Sequence, residues 1–390
     1  MTRISLMDVK DFKSGRSEQQ YQYRSFLPTT IDKEWTVSDP QTLTLLEDAS
    51  RLLGELSTYS RIVPGVDFFI HMHLLKEATT SSRIEGTQTN MEEALLDAND
   101  IDPERRDDWV EVQNYTAAIG FAIERLQTMP LSNRLLRDTH AVLMRGVRGR
   151  NKQPGEFRRS QNWIGTSLKN ATFVPPHQDH VPELMSDLEK FMHDDDIHVP
   201  HLIRIAIIHY QFETIHPFLD GNGRLGRLMI ALYMANFGLL AKPALYLSDF
   251  FERHKSEYYD ALMSVRSTSK LLPWLQFFLT GVHETSASSI QVFRDITTLK
   301  ERIEREKLPT FHPRRQAHAQ ALMQNLYQRP MITIKEATAS LGVQTNTAAA
   351  LITDFVRLGI LRELTGQKRN RQFMFDEYVR LFMRGSEESE

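Results

Sequence analysis

The stretch HPFLDGNGRLGR, residues 216–227, decides how the rest of the chain is interpreted. Its Gly221-Asn222-Gly223 segment directly precedes a predicted helix that begins near Arg224. Backbone N–H groups therefore converge at a helix N-terminus, which is a typical anion site. Arg224 and Arg227 are three residues apart and project from the same face of that helix, where they add two cations. This concentration of donors and positive charge suits a polyphosphate.

Two further side chains of this stretch supply chemistry beside the anion site. Asp220 would be repelled by a polyphosphate unless a cation lay between them, and one carboxylate with phosphate oxygens and waters is a common way to hold Mg²⁺. His216 is neutral near physiological pH and can accept a proton from an attacking hydroxyl. Each feature alone has an ordinary structural explanation, such as a helix-terminal histidine or a solvated arginine pair. Their combination indicates a site for phosphoryl-type transfer.

Residues 216–227 resemble the signature of the Fic family, H-P-F-x-D-G-N-G-R-x-x-R, at every specified position. Upstream, parts of residues 154–176 are similar to the hairpin "flap" of that family, although Thr166 stands where a second glycine is common. Downstream, Tyr258-Tyr259 and residues 273–278 look like the helices that close the nucleotide pocket. The resemblance extends over roughly residues 80–285.

The resemblance implies a protein adenylyltransferase, an enzyme that moves AMP from ATP to a Tyr, Ser or Thr hydroxyl of a target protein or of itself. It implies that His216 is the general base and that Asp220 is the Mg²⁺ ligand. The target would add a strand to the flap, at about residues 163–176. The implied nucleotide-binding residues are Gly221, Asn222, Gly223, Arg224, Leu225, Gly226, Arg227, Tyr258 and Tyr259.

Within that set, the parts of ATP are divided among the residues. Asn222 and the amides of the two flanking glycines would bind the α-phosphate, whereas Arg224 and Arg227 would hold the β- and γ-phosphates. Tyr258 and Tyr259 are candidates for a wall of the adenosine pocket, but aromatic residues at helical spacing are equally often core residues.

A second, shorter resemblance concerns SSRIEG, residues 81–86, which is similar to the inhibitory motif S/T-x-x-x-E-G/N of Fic proteins with an N-terminal blocking helix. The ordinary explanation is a helix end with a glycine stop. The resemblance implies that Ser81 and Glu85 are inhibitory residues and that Glu85 pairs with Arg227.

The last part of the chain changes character after Pro309 and Pro313. Periodicity predicts a helix at 316–328 and then a helix-turn-helix, with Gly342 in the turn and Thr345-Asn346-Thr347 at the start of the second helix. Two predicted strands, 360–364 and 372–375, flank a tip that carries Lys368, Arg369 and Arg371. The segment therefore looks like a winged helix. Residues 310–390 hold 11 basic and 8 acidic residues, a weak excess, so DNA contact and protein docking both stay open.

Composition narrows the class of protein. The 390 residues carry a net charge of -3, which argues against a whole-chain polyanion binder. With no cysteine, thiol catalysis, disulfides and cysteine-ligated zinc are excluded. We find neither a signal peptide nor a membrane span, so a cytoplasmic protein is expected, and its oligomeric state stays open, with a homodimer as one alternative.

The predicted fold class is mostly α. We expect an N-terminal helical region at 1–100, with an extended, partly ordered start up to about residue 38, a helical Fic core with a hairpin flap at 101–290, and a winged helix-turn-helix domain at 310–385. Three functions remain: AMP transfer restrained by Glu85, the reverse hydrolysis of AMP-modified protein by means of Glu85, and a DNA-binding regulator whose core senses nucleotide. The intact His216, Asp220 and Arg227 favour catalysis over sensing.

Overall fold

A computed structural model describes residues 6–62, 66–146, 151–365 and 371–383. Within these ranges the chain is mostly helical, as the sequence predicts. The helices are α1 Pro40–Ile62, α2 Val66–Ile84, α3 Met91–Ala94, α4 Arg106–Arg125, α5 Asn133–Leu143, α6 Val181–His193, α7 His201–Ile215, α8 Asn222–Asn236, α9 Ser248–Arg253, α10 Lys255–Thr268, α11 Leu272–Arg302, α12 Pro313–Gln328, α13 Ile334–Leu341, α14 Thr345–Arg357 and α15 Asp376–Met383. The strands are β1 Leu6–Asp8, β2 Gly15–Gln19, β3 Arg24–Pro28, β4 Glu34–Thr36, β5 Ile164–Gly165, β6 Ala171–Phe173, β7 Met331–Thr333, β8 Arg362–Glu363 and β9 Gln372–Met374.

The centre of the core is formed by α7 and α8, which pack against each other. Every residue of α7 from Leu202 to Ile215 is buried, and α8 is buried almost throughout. A helix that is apolar on all faces is stable only when other elements surround it. The other helices supply that cover, and residues 216–221 are thus a short connection between two helices fixed in the interior.

Two helix boundaries in the second half of the core follow from the local sequence. α11 continues without a break through residues 283–285, because no glycine or proline stands there and Ser286 and Ser289 face the core. α9 and α10 are separated at His254, whose backbone angles are not helical.

The prediction of an extended lead-in and of a helical region over residues 1–100 is wrong for the start of the chain, which forms paired strands. In the described part, β1 pairs with β4 in parallel, β2 pairs with β3 in an antiparallel hairpin, and Val9, Phe12, Ile31 and Trp35 are buried in the main core. Short strands bury only a few side chains each, so no periodic pattern reveals them in the sequence.

The flap is a hairpin, as expected, with Ile164 opposite Phe173 in β5 and β6. One side of the hairpin is packed on the core, since Phe173 is buried beneath Arg266, whose guanidinium carbon lies 4.0 Å from the ring centroid. The N-terminal hairpin also joins the flap, because the Phe26 N–H donates to the Val174 carbonyl at 3.0 Å.

The C-terminal segment contains the predicted helix, helix-turn-helix and two strands, and it has two elements that were not predicted, β7 before α13 and α15 after β9. α13 and α14 are joined through Gly342 with a φ of 63°, and the strands form an antiparallel sheet in the order β7-β9-β8. Lys368 and Arg369 of the predicted basic tip lie outside the described residues, and Arg371 pairs with Glu363.

α2 is held from the C-terminal side as well as by the core. α12 and α15 both pack against it, and Phe69 of α2 lies 6.2 Å from the Tyr378 ring. In the ranges described, no helix is both long and apolar enough to cross a membrane.

The burial of the N-terminal strands gives the first testable prediction. We expect Trp35→Ala to lower the free energy of unfolding by about 3–5 kcal/mol, because the indole packs on Phe12 and Phe191 and its Nε1–H donates to the Ile31 carbonyl at 2.9 Å. Tyr21→Ala, at a side chain that is 96% exposed, is the control and should change it by less than about 0.5 kcal/mol. Chemical denaturation followed by circular dichroism measures both, and equal small effects would contradict this fold for residues 6–36.

Candidate active site

The predicted motif forms a tight loop between α7 and α8. His216 follows the last residue of α7 with left-handed backbone angles, φ 50° and ψ 61°, and its N–H donates to the Phe212 carbonyl at 2.9 Å. Gly221 precedes α8 with a φ of 75°. A left-handed conformation is unfavourable for a residue with a side chain and usually persists where surrounding contacts enforce it.

Those contacts come largely from residues near the flap, which the sequence analysis did not assign to the site. The buried side chain of Arg158 donates through Nε to the His216 carbonyl at 2.9 Å, and the backbone N–H of Arg158 donates to the Pro217 carbonyl at 2.9 Å. Asn162 donates to the carbonyls of His216 at 3.1 Å and Phe218 at 2.8 Å. The base of the flap therefore fixes the backbone of the loop.

Asn222 also shapes the loop. Its side-chain oxygen accepts from the Phe218 N–H at 2.9 Å and its amide nitrogen donates to the Phe218 carbonyl at 2.9 Å. This side chain is buried and each of its polar atoms bonds to the loop, so its contact with the α-phosphate stays a prediction. Its backbone N–H stays a candidate phosphate donor.

His140 is a further residue that sequence analysis missed. Its ring stacks on Phe218 with centroids 3.9 Å apart, and Nδ1 accepts from the Gly155 N–H at 2.9 Å. Nε2 therefore carries the proton and donates to the Asp220 carbonyl at 3.0 Å. Burial lowers the pKa of His140 to about 4, so this ring is a neutral support for the loop.

The ring of His216 is suited to accept a proton. Burial lowers the pKa of His216 to about 3, and the cations Arg266 and Arg158 act in the same direction. The imidazole is therefore neutral at pH 7, and its side chain is 19% exposed. Glu213, three residues earlier on α7, lies nearest among acidic groups, with Oε2 3.9 Å from Nδ1 of His216.

The predicted anion site lies at the N-terminus of α8. Gly221 precedes the helix and no side chain caps its first turn among the described residues, so the first N–H groups remain for an anion. Arg224 is buried beside this point, with Nη1 3.3 Å from Glu111 Oε2 and Nη2 4.0 Å from Asp220 Oδ1. Arg224, which was predicted to bind a phosphate, is thus positioned by the carboxylates of Glu111 and Asp220.

A cavity of about 330 Å³ opens beside this helix end. Asp220, Arg224, Glu85 and Met144 are among the residues that line it. Asp220 is 45% exposed there, so its carboxylate is accessible to a cation that arrives with a nucleotide. In the described ranges, no group of three or more His, Cys, Asp or Glu side chains could hold a metal ion without such a nucleotide.

Tyr258 corrects another prediction. It is buried in the core, with its hydroxyl 2.9 Å from His209 Nε2 and its ring stacked on Phe251 at 4.5 Å. It therefore supports the site from behind and offers no face to an adenosine. Tyr259 is 40% exposed, and its place in the adenosine wall stays a prediction.

Arg227 is paired as the sequence resemblance implied. Its Nη2 lies 2.7 Å from Glu85 Oε1, its Nε donates to Ser81 Oγ at 2.9 Å, and Nη2 also donates to the Ser81 carbonyl at 2.9 Å. The Arg227 side chain is 1% exposed and that of Glu85 is 38% exposed. Gly223 permits the approach, because a Cβ there would lie 2.3 Å from Glu85 Oε1.

The electrostatics of this pair follow from burial and proximity. Burial alone would raise the pKa of Glu85, but the Arg227 guanidinium outweighs it and the pKa is lowered. For Arg227, burial acts against the charged form, and the Glu85 carboxylate more than offsets it, so its pKa is raised. Both groups are charged at pH 7, so Glu85 forms an ion pair with a cation, Arg227, that lies beside the anion site.

Comparisons with known proteins agree with this arrangement. The Fic/DOC family N-terminal model matches residues 43–124, and the Fic/DOC family model matches residues 130–234. The protein adenylyltransferase Fic of Culex quinquefasciatus is 32% identical over 132 residues, 34% of this chain and 24% of that relative. The protein adenylyltransferase fic-1 of Caenorhabditis elegans is 30% identical over 140 residues. The chain spans about a quarter of the length of these curated relatives.

Solved structures show the same fold over a larger part of the chain. A Fic family protein from Desulfovibrio desulfuricans G20 superposes with a TM-score of 0.55 at 19% identity and covers 86% of this chain and 96% of its own. A Fic domain containing signaling protein from Bacteroides thetaiotaomicron has a TM-score of 0.50 at 16% identity, over 65% and 97% of the two chains. The chain therefore carries the two domains of the Fic/DOC family, at residues 43–124 and 130–234, and its fold agrees with that of the solved Fic structures.

Proposed function

We propose that this chain transfers AMP from ATP to a hydroxyl group of a protein, and that Glu85 restrains the transfer. The observation that carries the proposal is the arrangement around the loop that holds Asp220. A neutral His216 lies at one end of this loop and the uncapped N-terminus of α8 lies at the other. Arg227 lies beside that helix end and forms an ion pair with Glu85. The names of the curated relatives, protein adenylyltransferases, support the reaction class.

The reaction needs no nucleophile from the protein. His216 would take the proton of the target hydroxyl as its oxygen attacks the α-phosphorus in line with the leaving pyrophosphate. The first N–H groups of α8 would stabilise the charge on the α-phosphate, and Arg224 that on the β-phosphate. Asp220 would hold Mg²⁺, which neutralises the developing pyrophosphate charge when it is bound.

The flap is the expected docking site for the target. β5 pairs with β6, and among the described residues no other strand pairs with β5. An extended target segment along residues 163–176 would add a strand there, and the exposed Trp163 lies at its start. Since the base of the flap holds the His216 loop through Arg158 and Asn162, docking and chemistry share one rigid frame.

Inhibition follows from competition for a single cation. The γ-phosphate of ATP and the Glu85 carboxylate are both anions that suit Arg227, and the carboxylate is already at 2.7 Å. ATP that cannot reach Arg227 would bind with displaced phosphates and with the α-phosphorus out of line. Misaligned substrate reacts slowly however tightly it is held.

Two other functions are kept for specific reasons. Glu85 is 38% exposed at the cavity and could position a water against an AMP-modified protein, which is the reverse hydrolysis. A DNA-binding role stays a second candidate, because Thr345 at the start of α14 borders a groove. Two acidic side chains, Asp97 and Asp100, and two basic ones, Lys335 and Arg371, line this groove, so its charge does not decide between DNA and protein.

We expect Glu85→Gly to increase AMP transfer, because Arg227 then becomes available to the γ-phosphate. Purified protein is incubated with Mg²⁺ and ATP, alone and with cell lysate, and the added AMP is measured by mass spectrometry. His216→Ala in the same background is the matched control and should lower transfer by about 10²–10⁴-fold, with ATP binding retained. Arg227→Ala should lower transfer with and without Glu85, and the two substitutions should be non-additive.

An unchanged or lower rate in Glu85→Gly would contradict the inhibitory role. If that variant instead loses the ability to remove AMP from a modified protein, the hydrolytic alternative is supported. Retained turnover in His216→Ala would contradict the assignment of the base.

We expect the contribution of the Glu85–Arg227 pair to stability to depend on pH. The pKa of Glu85 is lowered on folding from an ordinary 4.5, so its stabilising effect is fully present above about pH 4.5 and is lost as pH falls through the lowered value. The difference in unfolding free energy between wild type and Glu85→Gln, measured by denaturation from pH 7 to pH 3, should be constant near neutrality and shrink in acid. A difference that persists or grows in acid would contradict the pairing.

A further inference from the structure

Glu213 is a buried carboxylic acid beside the proposed base, and the mechanism above does not use it. It lies on the last turn of α7, with Oε2 3.9 Å from Nδ1 of His216. Its Oε1 is enclosed against Gly226 without a hydrogen-bond partner among the described residues, whereas Oε2 is the oxygen that faces His216. Nδ1 of His216 is also enclosed and makes no hydrogen bond of good geometry there, although the Glu213 backbone carbonyl favours a proton on the ring. A carboxyl group and a ring nitrogen that are buried side by side and unsatisfied are costly unless they pair.

The surroundings are shaped to hold this carboxyl group. A Cβ at Gly226 would lie 2.2 Å from Glu213 Oε1, so any larger residue on α8 would displace it. Arg266 fixes the adjacent backbone, since its Nη2 donates to the Glu213 carbonyl at 2.8 Å and its Nε to Thr214 Oγ1 at 3.1 Å. The carboxyl group therefore has little freedom except towards the imidazole.

We propose that Glu213 is a positioning residue for His216. Its carboxylate accepts a hydrogen bond from the Nδ1–H of the ring and so keeps the lone pair on Nε2, where the target hydroxyl delivers its proton. The present 3.9 Å is about 1 Å longer than a hydrogen bond, and such contacts often tighten only when substrate is bound. The proposal rests on the AMP transfer proposed above.

The proton and charge balance is simple. The O–H bond of the target breaks and its proton moves to Nε2, while the oxygen forms a bond to the α-phosphorus and pyrophosphate leaves with the electrons of the broken P–O bond. The ring becomes an imidazolium in a site where burial disfavours positive charge. The Glu213 carboxylate balances that charge, and the proton then passes to solvent.

Several charged or titratable groups face Glu213 and set its protonation. Burial raises the pKa of Glu213 to about 7, Arg227 on α8 and Arg266 on α10 lower it, and Glu85 raises it. Beyond the effect of burial, the charge of Glu213 in turn raises the pKa of Tyr258 and Tyr259 of α10. Because His216 itself titrates far below neutrality, an acidic limb in the rate near pH 7 belongs to Glu213 and not to the base.

The kinetic test uses full-length Glu85→Gly as the parent. Adding Glu213→Gln, which keeps the shape, should lower kcat by about 10²-fold with the KM for ATP unchanged, and should abolish the acidic limb of the pH profile. Glu189→Gln on α6, at a carboxylate that accepts from the Asn133 N–H at 3.0 Å, is the matched control and should leave both unchanged. An unaltered kcat, or a limb that persists in Glu213→Gln, overturns the proposal.

A second measurement does not depend on activity. Nitrogen-15 NMR of the His216 ring should show the tautomer with the proton on Nδ1 in the wild type, and a loss of that preference in Glu213→Leu, which removes the accepting oxygens that Glu213→Gln would partly keep. A wild-type ring protonated on Nε2, or no change between the wild type and Glu213→Leu, overturns the proposal. If the parent transfers no AMP while the tautomer depends on Glu213, the proposed function fails and the positioning contact stands.

Discussion

A buried guanidinium needs an anion beside it, and Arg227 is the guanidinium on which the arrangement of this site depends. It is almost fully enclosed, so leaving it without a partner would be strongly unfavourable. Ser81 and Glu85 meet that need from the end of α2, and Gly223 leaves the space for them. Under the proposed inhibition, a nucleotide would have to offer an anion of its own before Glu85 could leave, which would make the restraint specific for a chemical group and not a steric block.

The position of α2 is fixed by interactions that lie far from the loop. Inside the helix, Glu77 accepts from the Tyr115 hydroxyl at 2.8 Å and from Ser248 Oγ at 2.6 Å, so it is tied to α4 and α9. At the other end, α12 and α15 pack on the same helix. The Glu85 carboxylate is therefore carried by an element that contacts both the core and the C-terminal segment.

Sequence reasoning identified the features of the fold and the site that depend on residues close together in the sequence. The motif at 216–227, the Glu85 pairing and most helices depend on short spacings or on helical periodicity, and the structure places them accordingly. Contacts across the fold gave no such signal. Arg158 and Asn162 fell within the flap resemblance, but their hydrogen bonds to the loop were not predicted, and His140 was not noticed at all. For Asn222, the motif shows that an asparagine stands there but not whether its amide faces a ligand or the loop. The burial of Tyr258 likewise depends on how α10 is rotated, which spacing alone does not fix.

The central claim is that Glu85 and the γ-phosphate of ATP compete for Arg227, and nucleotide affinity tests it most directly. Isothermal titration calorimetry with Mg²⁺ compares ATP and AMP binding to His216→Ala, which prevents turnover, with and without Glu85→Gly. Removing Glu85 should strengthen ATP binding and leave AMP binding nearly unchanged, because AMP has no phosphate that reaches Arg227. An equal gain for both nucleotides, or no gain for ATP, would contradict the competition.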